Sequence, residues 1–215
     1  MERWREIYDF WFGPPDGPDH GEVREFWFRG GPEVDREIRE RFEADHARAA
    51  AGGYDDWRDG LHSSLALVVL LDQFPRNMYR GEVRSFAADP VALSVARHIV
   101  AQPWHDRLLP VQRLFAYLPF EHSEDMADQR RAVELFTAME DHPGRGQWVD
   151  YAVQHLVIIE KFGRFPHRNA ILGRTCTEAE ERWLEDTEER FGTAAEDRAA
   201  EDRAAEAPEG TAGTP

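Results

Sequence analysis

Apolar residues recur along most of the chain at three- and four-residue spacing, the period of a helix that buries one face. From Pro32, residues Val34, Ile38, Phe42 and Asp45 share such a face, and Pro32 suits a first helical turn, where no N–H is needed. Asp55 is placed to cap a helix whose apolar body runs from Leu61 to Phe74. Asp89-Pro90 reads as a capping residue and first-turn proline opening 91–101, and Pro110 opens 111–118. Ser123, followed by Glu124 and Asp125, predicts a helix start whose early carboxylates suit the positive end of the helix dipole. That helix continues through Val133, Phe136 and Met139, and residues 147–162 form the next one. Thr177 and Glu180 make a capping box ahead of Trp183 and Leu184.

No segment alternates apolar and polar residues as a half-buried strand would. The run Leu65–Leu71 could be a buried strand in isolation, but its flanks continue at helical spacing, which favours a buried helix. Helices of roughly 10–18 residues joined by short loops predict an all-α fold of antiparallel helix pairs, as a bundle or a stacked array. Residues 193–215 differ from everything before them: no aromatic occurs, and Glu-Asp-Arg-Ala-Ala stands twice in tandem. Such a stretch has no face to bury and is expected to be a disordered acidic tail behind a folded domain of 1–192.

Two short patterns occur twice. Phe10-Trp11-Phe12-Gly13 is echoed by Phe26-Trp27-Phe28-Arg29-Gly30, and aromatic triplets of this kind are expected to staple helices together rather than to hold a ligand. Leu71-Asp72-Gln73-Phe74-Pro75-Arg76-Asn77 is echoed by Arg164-Phe165-Pro166-His167-Arg168-Asn169. Proline disfavours the α region at the residue before it, so Phe74 and Phe165 are predicted helix ends, each followed by arginine and asparagine.

Charge narrows the functional classes. The chain has 215 residues, 42 acids against 26 bases and a net charge of −16; Lys161 is its one lysine. That balance argues against nucleic acid and anionic membrane as partners, both of which need a basic footprint. No run approaches the roughly 20 apolar residues that span a bilayer, and one cysteine, Cys176, allows no intrachain disulfide. A soluble cytoplasmic protein is the expectation.

In so acidic a chain, arginines gathered near the Phe-Pro positions stand out. Arg76, Arg80, Arg164, Arg168 and Arg174, with Asn77, His167 and Asn169, could hold an anion bidentately, or could lock helix ends by pairing with Asp72, Glu121, Glu124 and Asp125. Glu121 and His122 with His155 form a candidate acid–base set, although His155 inside an apolar run also fits a core histidine bonded to a carboxylate. Neither the helix that follows Glu121 nor the one that carries His155 has the Glu-x-x-His pair of a diiron bundle, and no Cys/His zinc spacing occurs, so no metal is expected; without a glycine-rich phosphate loop or dinucleotide fingerprint no cofactor is expected. Ser123 lacks a nucleophile elbow.

Taken together, Asp9–Gly13, Leu70–Asn77, Pro119–Glu124 and Gly163–Asn169 followed by Leu172-Gly173-Arg174 resemble the bacterial DUF924 family, a domain of unknown function, over about residues 5–190. The resemblance implies a compact, tetratricopeptide-like (TPR-like) stack of antiparallel helix pairs and carries no activity across. The functional expectations are therefore three. One is a module binding an anionic small molecule or peptide carboxylate through Asp72, Arg76, Asn77, Arg80, Glu124, Arg164, His167, Arg168, Asn169 and Arg174. Another is a cofactor-free hydrolase or transferase using Glu121, His122 and His155. The last is a scaffold for a protein partner.

Overall fold

In a computed structural model of the chain, residues 2–18, 20–139 and 142–186 are described. The helices are α1 (Arg3–Phe12), α2 (Phe26–Arg29), α3 (Pro32–Ala50), α4 (Leu61–Val68), α5 (Phe74–Met78), α6 (Asp89–Val100), α7 (Pro110–Glu121), α8 (Met126–Thr137), α9 (Arg145–Phe162) and α10 (Glu178–Asp186). No strand occurs among the described residues, and the fold is all-α. The chain divides into two compact units, one running to Phe165 and one from Pro166. The acidic stretch 193–215 lies outside the described residues.

The first unit is built around α4. Leu65 to Leu71 are all buried, which is why the run shows no polar stripe: a helix apolar all round belongs at the centre. Helices α1, α6 and α7 pack on α4, α3 packs on α5, and α7, α8 and α9 follow one on the next. Trp11, Phe12, Phe26 and Trp27 of the aromatic triplets staple this core as expected. The rings of Trp27 and Phe115 stand 4.7 Å apart edge to face, Trp11 meets Phe115 at 5.4 Å, and Trp27 Nε1 donates to the Trp11 carbonyl at 2.9 Å. Edge-to-face pairs of this kind add about 0.5–1.5 kcal/mol each beyond their buried area.

Two prolines do not end helices as the sequence suggests. Phe74 is not a terminus: residues Val69–Gln73 widen into a π turn, with Phe74 N–H bonded to Val69 O, and the helix resumes through Pro75 to Met78. A proline ring would collide with the carbonyl four residues back, here that of Leu71, and a π turn over that stretch opens the room it needs. Likewise α7 does not stop at Leu118 but carries Pro119 inside it and ends at Glu121. The second Phe-Pro copy does follow a helix end, since α9 finishes at Phe162 with Gly163 in the left-handed conformation at φ 69°.

Three predicted caps also change. Asp125, not Ser123, caps α8, accepting from the N–H groups of Ala127 and Asp128; Ser123 Oγ instead accepts from Asp125 N–H and donates to Asp128. Asp55 begins a separate 3-10 turn, Asp55–Asp59. Asp89 turns its carboxylate to an arginine rather than to its own helix. In the second unit the capping box holds, with Thr177 N–H on Glu180 Oε2 at 2.7 Å and Glu180 N–H on Thr177 Oγ1 at 3.3 Å, and α10 packs on the 3-10 turn Pro166–Arg168.

Phe115→Ala should lower unfolding free energy by about 3–5 kcal/mol, since it removes the ring that three other aromatics face. Val157→Ala, on the exposed side of α9, should change it by less than about 0.5 kcal/mol. Urea unfolding of the two variants checks both.

Candidate functional site

Both proline-bearing helices deliver polar side chains to one buried place. The π turn carries Asp72, whose side chain is fully buried although every neighbour in sequence from Leu65 to Leu71 is apolar or small. Turns of this class concentrate at functional sites because the extra residue re-aims a side chain that a regular helix would direct elsewhere. The carboxylate is enclosed by three partners. His122 Nδ1 lies 2.8 Å from Oδ1, Gln73 Nε2 donates to Oδ2 at 2.6 Å, and Arg76 Nη1 stands 3.4 Å from Oδ1. Arg76 also donates to the Asp72 carbonyl at 2.5 Å and makes a two-pronged pair with Asp89 at 3.0 and 3.1 Å. Burial alone would raise the Asp72 carboxyl, but the charge of Arg76 and the hydrogen bonds from His122 and Gln73 outweigh it and hold the group well below the usual carboxylate range.

From the end of α7 comes the second carboxylate. Glu121 is 4 % exposed and pairs with His155 of α9, whose Nδ1 lies 3.2 Å from Oε1. The Tyr151 carbonyl, 2.9 Å from the same nitrogen, can only accept, so His155 Nδ1 carries a proton and donates it to that carbonyl. Burial, and then the negative charge of Asp72, pushes Glu121 up to about 8, so it is mostly protonated at neutral pH. His122, the C-cap residue of α7, moves the other way: burial and the Arg76 charge lower its pKa despite Asp72, which favours the neutral imidazole. Gln129, fully buried on α8, donates to the carbonyls of Glu121 and Ser123 at 2.6 Å each and ties down this helix end.

Asp72, Arg76, Glu121, His122 and His155 are thus one cluster. Other predicted site residues have different work. Asn77 and Arg80 both donate to Asp35 of α3, at 2.8 Å and 3.1–3.2 Å, and lock α3 to the end of α5. Glu124 accepts the Phe165 backbone N–H at 2.9 Å and fixes the chain after α9, and Arg164 lies in that segment. His167, Arg168, Asn169 and Arg174 belong to the second unit; there Asn169, fully buried, donates to Cys176 Sγ at 3.3 Å and accepts from the Arg174 backbone at 2.8 Å. Sequence reading missed three contributors. Asp89 reads as a helix cap, Gln73 stands inside the Leu71–Asn77 motif without a role of its own, and Gln129 lies behind the Glu-His-Ser-Glu block. Among the described residues no group of three or more His, Cys, Asp or Glu side chains is arranged to hold a metal ion.

Comparison with known proteins bears on this arrangement. The family model described as a bacterial protein of unknown function, DUF924, matches residues 7–188. The chain belongs to the DUF924 family. A solved structure of a protein of unknown function from Agrobacterium tumefaciens is similar to it, at 39% identity and a TM-score of 0.74, covering 86% of this chain and 97% of that one. No curated protein matches. The DUF924 match spans every member of the cluster, from Asp72 to His155. No described helix is long and apolar enough to cross a membrane.

The two carboxylates give the unfolding free energy two opposed pH limbs. Glu121 ionises near pH 8 when folded but near its ordinary value when unfolded, so its contribution is intact at acid pH and is lost as pH rises toward 8. At about 1.4 kcal/mol per unit this loss amounts to a few kcal/mol, and Glu121→Gln should abolish it in urea melts at pH 5 and pH 8. Asp72, held low, contributes stability above the ordinary carboxylate pKa that is lost as pH falls further. Asp72→Asn should remove that limb and destabilise the fold at neutral pH by about 3 kcal/mol, because Arg76 then keeps Asp89 alone as its carboxylate partner.

Proposed function

We propose that the Asp72–His122 and Glu121–His155 pairs form a proton-handling site on a small molecule, making this protein a cofactor-free hydrolase or transferase. One observation carries the reading: two adjacent buried carboxylates, each against an imidazole, are pushed toward opposite protonation states. Separation of that kind is how a fold assigns acid and base roles to like groups at one pH. Glu121, protonated at neutral pH, is the proton donor. His122, neutral and held by Asp72 through Nδ1, is the base, and its side chain is more exposed than that of His155, 14% against 7%. Asp72 orients the ring and balances the imidazolium that forms, and His155 holds the Glu121 carboxyl in place. Arg76, 20% exposed at its side chain, steadies negative charge on the substrate.

Arg76 also favours a second reading, a module that binds an anionic small molecule or a peptide carboxylate without turning it over. A guanidinium with two carboxylate partners can exchange one of them for a ligand oxyanion. Asn77 and Arg80, already engaged by Asp35, add nothing to that pocket. A TPR-like stack of helix pairs goes with either reading. So does a cytoplasmic location without nucleic acid or membrane partners, in keeping with a net charge of −16.

A thermal-shift screen of the full chain against metabolites and dipeptides, followed by turnover assays on each stabilising compound, separates the two. Catalysis requires that Glu121→Gln and His122→Ala each lower kcat by about 10²–10⁴. Binding alone requires a ligand-induced shift that Arg76→Ala removes while no compound is consumed. Turnover that survives in both Glu121→Gln and His122→Ala overturns the acid–base assignment.

A further inference from the structure

A second polar place lies at the opposite end of α4 from the Asp72 cluster, roughly 14 Å along the helix at about 1.5 Å per residue. There a shallow cleft of about 360 Å³ is walled by Trp4 of α1, by Gly60, Leu61, His62 and Ser63, and by Arg107 of the 3-10 turn His105–Arg107. That volume falls in the range of small-molecule sites.

Its charge is opposite to that of the protein. In a chain of net charge −16, Arg107 makes no ion pair and no side-chain hydrogen bond among the described residues. Burial, and then the neighbouring His20, Arg107 and Arg5, lower the His62 pKa and favour its neutral form, with Asp9 opposing them. The Arg5 guanidinium lies 5.3 Å from the ring of Trp4, one wall of the cleft. Ser63 Oγ is committed to the Trp57 carbonyl at 2.7 Å, which leaves His62 and Arg107 as the polar side chains able to meet a ligand. The first turn of α4 has no side-chain cap, and its positive end adds to the same field. Behind the cleft, Tyr8 lies against the His62 ring at 4.7 Å and accepts from Gln112 Nε2 at 2.6 Å, so the imidazole has a fixed wall to rest on.

We propose that this cleft is a binding site for a small organic oxyanion, its carboxylate or phosphate held by Arg107 and His62 and its apolar body lying against Trp4 and Leu61. The site is separate from the acid–base cluster and requires neither Asp72 nor Glu121. Arginine meets an oxyanion with charge-assisted hydrogen bonds, a neutral imidazole N–H can donate one more, and an apolar wall beside them selects an anion with a hydrocarbon or ring portion over a bare one.

Isothermal titration of the full chain with phenyl phosphate, benzoate and inorganic phosphate tests it. Phenyl phosphate or benzoate should bind saturably, with inorganic phosphate weaker. Arg107→Ala, at an exposed position outside the core, should weaken binding about tenfold or more, the loss of one charge-assisted contact. His62→Gln should weaken it as well, while His122→Ala leaves it unchanged. The proposal is overturned by absence of saturable binding, by equal affinity for inorganic phosphate, by unchanged affinity in Arg107→Ala, or by loss in His122→Ala, which would move the anion to the other cluster.

Discussion

A carboxylate at the centre of an apolar helix is the constraint around which the first unit is organised. Asp72 has no access to water, so its charge is tolerable only if the protein supplies partners that replace hydration. Those partners come from several places at once: Gln73 beside it, Arg76 one turn on, and His122 at the end of α7. Arg76 in turn draws Asp89 at the start of α6, so one buried charge fixes how α5, α6 and α7 meet. The same charge reaches Glu121 and helps to keep it protonated. Removing water from the cluster therefore sets both its packing and its proton inventory.

Helix existence was legible because apolar periodicity depends on which face meets the core, and that is written residue by residue. Pro32, the aromatic triplets and the Thr177–Glu180 box behaved as their local chemistry dictates. Pro75 and Pro119 did not, since burial of the apolar residues on both sides of a proline can outweigh its local cost of about 3 kcal/mol. The two Phe-Pro copies look alike in sequence and differ in structure for that reason. Behind Pro75 a π turn makes room, whereas Gly163 ends α9 before Phe165 is reached.

For the site, the residue types were legible and the pairing was not. A list of arginines and acids does not say that Arg80 goes to Asp35, 45 residues away, and Arg76 to Asp89. Nor does it say that Glu121 and Asp72 fall close enough for one to raise the pKa of the other. Asn77 and Arg80 belong to the candidate anion-binding set by residue type, yet they tie α3 to α5. Gln129, which has no charge to draw notice, secures the helix end on which Glu121 and His122 sit.

The π turn at Val69–Gln73 has a consequence for how this helix could change over time. A π turn is an α-helix with one residue too many, held only because the surplus is used. Deleting a single residue there would give back a regular helix, and every side chain on one side of the cut would rotate by about 100° relative to the other. The apolar run could absorb such a rotation, being buried on all faces. Asp72 could not, because its carboxylate meets His122 from one direction. Helical regularity and the polar cluster are therefore alternatives for this stretch of chain, and a length change of one residue is the step that separates them.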